Sequence, residues 1–191
     1  EKKYDNMKDC IEAKLFGIGL ESYTVGSYDF YLGYGAKKGK IVTLDTGHFH
    51  LTESIADKVS SLLLFTPEIM LHVSRPIRWD SDHVVILSSD LLDLAREIIR
   101  CDALDRVHIG LDYFDATINR IGAYVIGSRA TQKAFMQALL EPRAALEKYE
   151  EQGRYFQRLA LQEEAKSLPW NAVWDMYCQM KETPVGESFI G

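Results

Sequence analysis

The sequence predicts an α/β protein in which parallel strands are covered by helices. Three observations predict it. Short apolar runs of strand length alternate with longer segments whose apolar residues recur at the helical period. Each β-then-α step needs a crossover, and crossovers connect parallel strands. The strands close on hydrophilic, ligand-type residues, as C-terminal strand ends do in such folds. Four β/α units are visible. A closed (β/α)8 barrel of about 250 residues needs eight, so four fit half a barrel. An open sheet of about four or five strands is the structural alternative.

The first strand is read over 10–17 (CIEAKLFG), followed by a helix over 27–36 carrying Tyr28, Phe30, Tyr31 and Tyr34. Residues 40–45 form the second strand, and 52–65 the second helix, with Ile55, Val59, Leu62 and Leu63 on one face. Pro67 closes that helix. "EIMLHVS" (68–74) is the third strand. The helix over 88–99 starts on a capping serine and turns Leu91, Leu92, Ala95, Ile98 and Ile99 inward. "RVHIGLD" (106–112) is the fourth strand, and 119–140 reads as helix with a break near Gly127-Ser128. From Pro142 the character changes: 144–167 is a charged amphipathic helix, Ser167-Leu-Pro-Trp170 punctuates, and 171–181 is a last helix. The division expected is thus barrel units over 1–141 and a helical extension over 142–191.

Composition narrows the function. The 191 residues are 47% hydrophobic with a formal net charge of -6, ample for a packed core. Mild acidity argues against a nucleic-acid partner, since no basic stripe is available for phosphates. Lys37, Lys38 and Lys40 form the compact basic cluster and read as a solvated turn. No apolar run approaches the ~20 residues that span a membrane, and the charged opening EKKYDNMKDC is not a signal peptide. The start, without methionine and just before a strand, suggests part of a longer polypeptide. Cys10, Cys101 and Cys178 are odd in number and scattered, which points to buried or half-buried thiols and a reducing cytoplasm.

Each strand carries a ligand-type residue: Glu12 on the first, Asp45 closing the second, His72 near the end of the third and Asp112 closing the fourth. Carboxylates and an imidazole on one rim repel one another unless a cation sits between them. Oxygen-rich ligation with one nitrogen suits Mn²⁺, Mg²⁺ or Co²⁺. A second group lies in the loops. In "LDTGHFH", His48 follows Asp45 by a tight bend at Gly47, and in "RWDSDH" Asp80 and Asp82 flank a serine and face the same way in an extended loop. His48, Asp80 and Asp82 are candidates for a second ion. A lone Asp at a strand end is more often a turn former, and a lone His on an apolar strand is more often a core residue. Four strands in succession bearing such residues outweigh those readings. His50 and His83 are read as neighbours of ligands, His108 as structural, Arg75 and Arg78 as partners of carboxylates, and Trp79, Trp170 and Trp174 as packing residues.

The motifs "AKLFGIGLESYTVGS", "LDTGHFH", "LHVSRPIRWDSDHVV", "RVHIGLDYFDATINRI" and "KSLPWNAVWDMYC" together resemble the L-rhamnose isomerase family of the bacterial type, from about Glu12 to Pro184. The resemblance covers the C-terminal half of that enzyme. It implies a complete (β/α)8 barrel with a helical extension, completed by an N-terminal half. It implies an aldose–ketose isomerase acting on L-rhamnose with two divalent ions, usually Mn²⁺, with Co²⁺, Mg²⁺ or Zn²⁺ as alternatives, and a cytoplasmic homotetramer. The family's structural ion corresponds to Glu12, Asp45, His72 and Asp112, and its catalytic ion to His48, Asp80 and Asp82. Lys14 matches a lysine near the substrate, and Asp112 with a water is the candidate for proton transfer. A hydride shift between C1 and C2 is the implied route. The alternatives are another divalent-metal barrel enzyme, of phosphoesterase or endonuclease type, and an inactive fragment of the isomerase.

Overall fold

The computed structural model describes residues 6–14, 26–78 and 81–190. The expected strand residues Phe16 and Gly17, and the loop residues Trp79 and Asp80, lie outside them. The chain divides into two compact units, Glu1–Phe135 and Met136–Gly191.

In the first unit the order is β1 (Cys10–Glu12), α1 (Tyr28–Lys38), β2 (Ile41–Asp45), α2 (Ala56–Leu63), β3 (Ile69–Val73), α3 (Ser89–Arg100) and β4 (Val107–Leu111). The four strands are parallel and lie in the order β1-β2-β3-β4. The α/β reading with a parallel sheet therefore holds at this level.

Register decides which face each side chain takes. Val42 pairs with Ile69 and Ile69 with Val107; Leu44 pairs with Leu71 and Leu71 with Ile109. Val42, Leu44, Ile69 and Leu71 have no exposure, and with Val59, Leu62, Leu94, Ala95 and Ile98 they make the core. The opposite face carries Glu12, Thr43, Met70 and His108 in one row, then Asp45, His72 and Gly110 in the next. Met70 and Ile109, a residue apart in register, thus point to opposite sides. Ile109, on the outer strand β4, is left partly exposed.

Local chemistry sets the helix ends. Ser27 Oγ accepts from Phe30 N–H at 3.2 Å and starts α1; Gly39, at φ 60°, ends it. Lys37 and Lys38 sit in the last turn of α1, where cations complement the helix dipole, and Lys40 Nζ pairs with Asp9 at 2.5 Å. The cluster is a solvated helix terminus that runs into the turn at Gly39. Gly35 lets α1 approach β2: a Cβ there would lie 2.5 Å from Val42 Cγ2. Ser88 caps α3 by accepting from Leu91 N–H at 3.3 Å. Leu91, Leu94, Ala95 and Ile98 form its buried face, while Leu92 and Ile99 are half-buried. The second helix begins at Ala56, later than its sequence pattern suggests.

Helix α4 runs unbroken from Arg120 to Leu139, and the boundary between the two units falls within it. The expected break at Gly127 is absent because that glycine serves a contact instead. The Tyr113 ring lies against Gly127, its hydroxyl donating to Ala123 O at 2.9 Å, and a Cβ would collide with it. In the second unit, the helix expected over 144–167 is two helices, α5 (Arg143–Glu151) and α6 (Tyr155–Lys166). Gly153 at φ 66° turns the chain between them. α7 spans Trp170–Met180 with Trp174 and Cys178 buried, and Trp170 Nε1 donates to Ala165 O at 3.0 Å. Cys178 is buried and Cys101 half-buried, but Cys10 is exposed, because β1 begins at the rim of the sheet. No helix among the described residues is long and apolar enough to cross a membrane.

Candidate metal centre

The ligand-type residues converge because the strands are parallel and in register. Asp45 and His72 are direct partners across β2 and β3, at the same level of the sheet. Glu12 ends β1 on the same face, and Asp112 follows β4, its N–H donating to Val73 O at 3.0 Å. Gly110 makes room for the imidazole. A Cβ there would stand 2.9 Å from Met70 Cε and 3.6 Å from His72 Cδ2.

His72 Nδ1 is the focus. It lies 2.8 Å from Glu12 Oε1, 3.5 Å from Asp112 Oδ2 and 3.6 Å from Asp45 Oδ2. The first contact is a hydrogen bond; the other two are close ion pairs. Asp45 and then Glu12 favour the imidazolium strongly enough, against desolvation, to push its pKa up to about 10. Asp45 is buried, which opposes its charge, yet the His72 proton, His48 and the Gly47 N–H hold its carboxyl below the usual range. A proton on Nδ1 here occupies the place where a divalent ion would meet the same three carboxylates.

Asp45 also shapes the next turn. Its Oδ1 accepts from Gly47 N–H at 2.7 Å and its carbonyl accepts from His48 N–H at 3.2 Å. This bend swings His48 back over the sheet. His48 Nδ1 lies 3.0 Å from Ala13 O, and a carbonyl can only accept, so Nδ1 carries the hydrogen. Its Nε2 lies 3.9 Å from Asp45 Oδ2. Among the described residues, two groups have ligand atoms within 4.8 Å of one another: Glu12, Asp45 and His48, and Asp45, His72 and Asp112. Asp45 belongs to both.

The remaining candidates are placed less tightly. Asp82 accepts from Phe114 N–H at 3.1 Å through its carbonyl, which ties its loop to the segment after Asp112, but it is in neither group. Asp80 is outside the described residues. Ser81 Oγ accepts from Ile77 and Arg78 N–H at 3.0 and 2.9 Å. Lys14 forms a backbone bridge to Gly26 just beyond β1, and with Tyr28, His48, Phe49 and Lys58 it lines a cavity of about 250 Å³. A larger cavity of about 310 Å³, between Phe49, Ile55, Val73, Val85 and Leu91, contains none of the clustered carboxylates. His50 Nδ1 meets Thr52 Oγ1 at 2.7 Å. His108 sits at the N-terminal end of β4, where Glu68 Oε2 meets both its Nε2 and Lys8 Nζ at 2.5 Å. Arg75 Nε donates to Val84 O at 3.1 Å rather than to one of the clustered carboxylates.

Sequence reasoning overlooked Gly110, the Ala13 carbonyl and Thr46. Thr46 Oγ1 accepts from Ser74 N–H at 2.9 Å and ties the tips of β2 and β3 together. A glycine inside the "HIGLD" strand was a legible signal of close approach; a backbone carbonyl leaves none.

Comparison with known proteins follows the same direction. The family model described as L-rhamnose isomerase (RhaA) matches residues 1–191. An L-rhamnose isomerase of Bacteroides thetaiotaomicron is 71% identical over 188 residues, covering 98% of this chain and 45% of that relative. L-rhamnose isomerases of Enterobacter sp. (strain 638) and Escherichia coli O127:H6 are each 59% identical over 182 residues, covering 95% of this chain and 43% of theirs. The chain thus spans somewhat under half the length of these relatives and matches their C-terminal part.

Proposed function

The chain belongs to the L-rhamnose isomerase family, and from that premise we propose that the whole protein is a metal-dependent aldose–ketose isomerase interconverting L-rhamnose and L-rhamnulose. The observation that carries the reading is the convergence of Glu12, Asp45 and Asp112 on one nitrogen of His72. The donor set fits a hard divalent cation: carboxylate oxygens, an imidazole nitrogen and no thiolate. Glu12, Asp45, His72 and Asp112 would hold one ion, and His48, Asp80 and Asp82 the second. Mn²⁺ is the preferred ion, with Co²⁺, Mg²⁺ or Zn²⁺ as substitutes. When bound, such ions supply Lewis acidity that polarises the sugar carbonyl and binds adjacent hydroxyls.

The chain's own residues perform the rest. In the direction from aldose to ketose, the hydrogen on C2 moves with its electron pair to C1, while the O2 proton leaves and O1 gains one. Asp112, with 59% of its side chain exposed, faces the open side of the cluster and is suited to carry that proton between the two oxygens. Lys14 borders the same cavity as His48 and would donate a hydrogen bond to a substrate oxygen. Asp45, buried and anchored by Gly47 N–H, orients the site without moving.

The four parallel β/α units support a complete (β/α)8 barrel in the whole protein. Residues 1–141 would supply its second half and 142–191 a helical extension. A cytoplasmic homotetramer acting on a free sugar, without nucleic acid or membrane, is the corresponding setting. The hydride route is tested with L-rhamnose deuterated at C2 and the full-length enzyme. The label should remain on C1 of the product. Washout of the deuterium into solvent would instead mean proton abstraction through an enediol.

A further inference from the structure

The β2–β3 ladder ends at the pair Asp45 and His72, whereas β3–β4 continues one pair further, to Val73 and Leu111. Thr46 N–H donates to His72 O at 3.0 Å as the last backbone bond between β2 and β3. Beyond this point the two chains separate: Gly47 turns toward Asp45 Oδ1, and Arg75 pairs with His83. One side chain spans the gap. Thr46 Oγ1 accepts from Ser74 N–H at 2.9 Å and lies 3.1 Å from Ser74 Oγ and 3.3 Å from Ser74 O. A threonine hydroxyl has one hydrogen and two lone pairs, so it accepts the Ser74 N–H while donating to one of the two oxygens. Ser74 is buried, 8% exposed, so water is a poor substitute for that acceptor.

We infer that Thr46 is a positioning residue for the metal centre: its hydroxyl adds a side-chain rung to the β2–β3 ladder and fixes the spacing of Asp45 and His72. These two residues lie just before the two ends of the clasp in sequence, Asp45 one residue before Thr46 and His72 two before Ser74. Their side chains share one face of the sheet, so parting of the strand tips moves both ligand atoms. Groups that orient ligands in this way set ion affinity without touching the ion. The inference rests on the reading that Asp45 and His72 share a divalent ion.

The test compares the full-length protein with its T46V and T46S variants. Valine keeps the shape and β-branching but removes the acceptor; serine keeps the hydroxyl. Each is stripped of metal, its melting temperature is measured, and Mn²⁺ is then titrated by calorimetry. T46V should lose about 10- to 100-fold in Mn²⁺ affinity, with T46S close to the parent and the metal-free melting temperatures alike. Unchanged affinity in T46V would overturn the inference, as would an equal loss in T46S. If T46V does not fold, T46A is read by the same criteria. A parent protein that takes up no Mn²⁺ in the same titration would overturn the metal reading itself, and this inference with it.

Discussion

On the proposed metal reading, ion uptake at this centre would displace a proton. His72 Nδ1 faces three carboxylates, and its pKa is pushed up to about 10 by Asp45 and Glu12, so the metal-free imidazole is charged at neutral pH. A histidine that binds an ion must first be neutral. Removing a proton from a group of pKa about 10 costs roughly 4 kcal/mol at pH 7. With 29% of the His72 side chain exposed, solvent screening reduces this to about 2 kcal/mol, a handicap of roughly 30-fold on ion affinity. The sign for stability follows. A raised pKa contributes stability fully below pH 6.5, and that contribution is lost as pH climbs through about 10. The metal-free protein should therefore weaken across this window. The loaded protein should hold, because the ion replaces the proton. The assay is calorimetric titration of Mn²⁺ into metal-free full-length protein, in buffers of different ionisation heat. About one proton should be released to buffer for the ion at this group, and affinity should rise by roughly 30-fold in all between pH 7 and 9, levelling off toward the upper end. Uptake without proton release, at an affinity flat across that range, would refute the reasoning.

Two substitutions extend these expectations. Asp45→Asn should cost the full-length protein the ion assigned to Glu12, Asp45, His72 and Asp112 and disturb the second, since His48 Nε2 lies 3.9 Å from Asp45 Oδ2, whereas Asp82→Asn should leave the first ion bound and lower kcat; metal analysis after dialysis and steady-state kinetics separate them, and equal mild effects would refute the assignment. Gly127→Ala should destabilise by about 1–3 kcal/mol, because its methyl would lie 2.7 Å from Tyr113 Cζ, and an unchanged melting temperature would remove the explanation for the glycine.

What could be read from sequence was what period and position encode. The apolar runs located all four strands, and the residues that close them, Glu12, Asp45, His72 and Asp112, do meet in space, because parallel pairing in sequence order brings strand ends to one rim. Ser88 announced the start of α3 by its chemistry. The failures came where a residue serves a partner remote in sequence. Gly127 looked like a helix breaker but is a seat for the Tyr113 ring. Gly153 does break a helix, and only its backbone conformation tells the two apart. His48, grouped in sequence with the loop carboxylates, also lies beside Glu12 and Asp45, because the bend at Gly47 folds it back over β1.

The strand order also dictates a sequence of events. Each strand pairs with the one made just before it, so every new strand docks on a finished edge after a single crossover, and loop closure stays modest. The group of Glu12, Asp45 and His48 is contained in the first two strands and the turn after them. The group of Asp45, His72 and Asp112 waits for β4. On a ribosome the centre would therefore be built in two instalments.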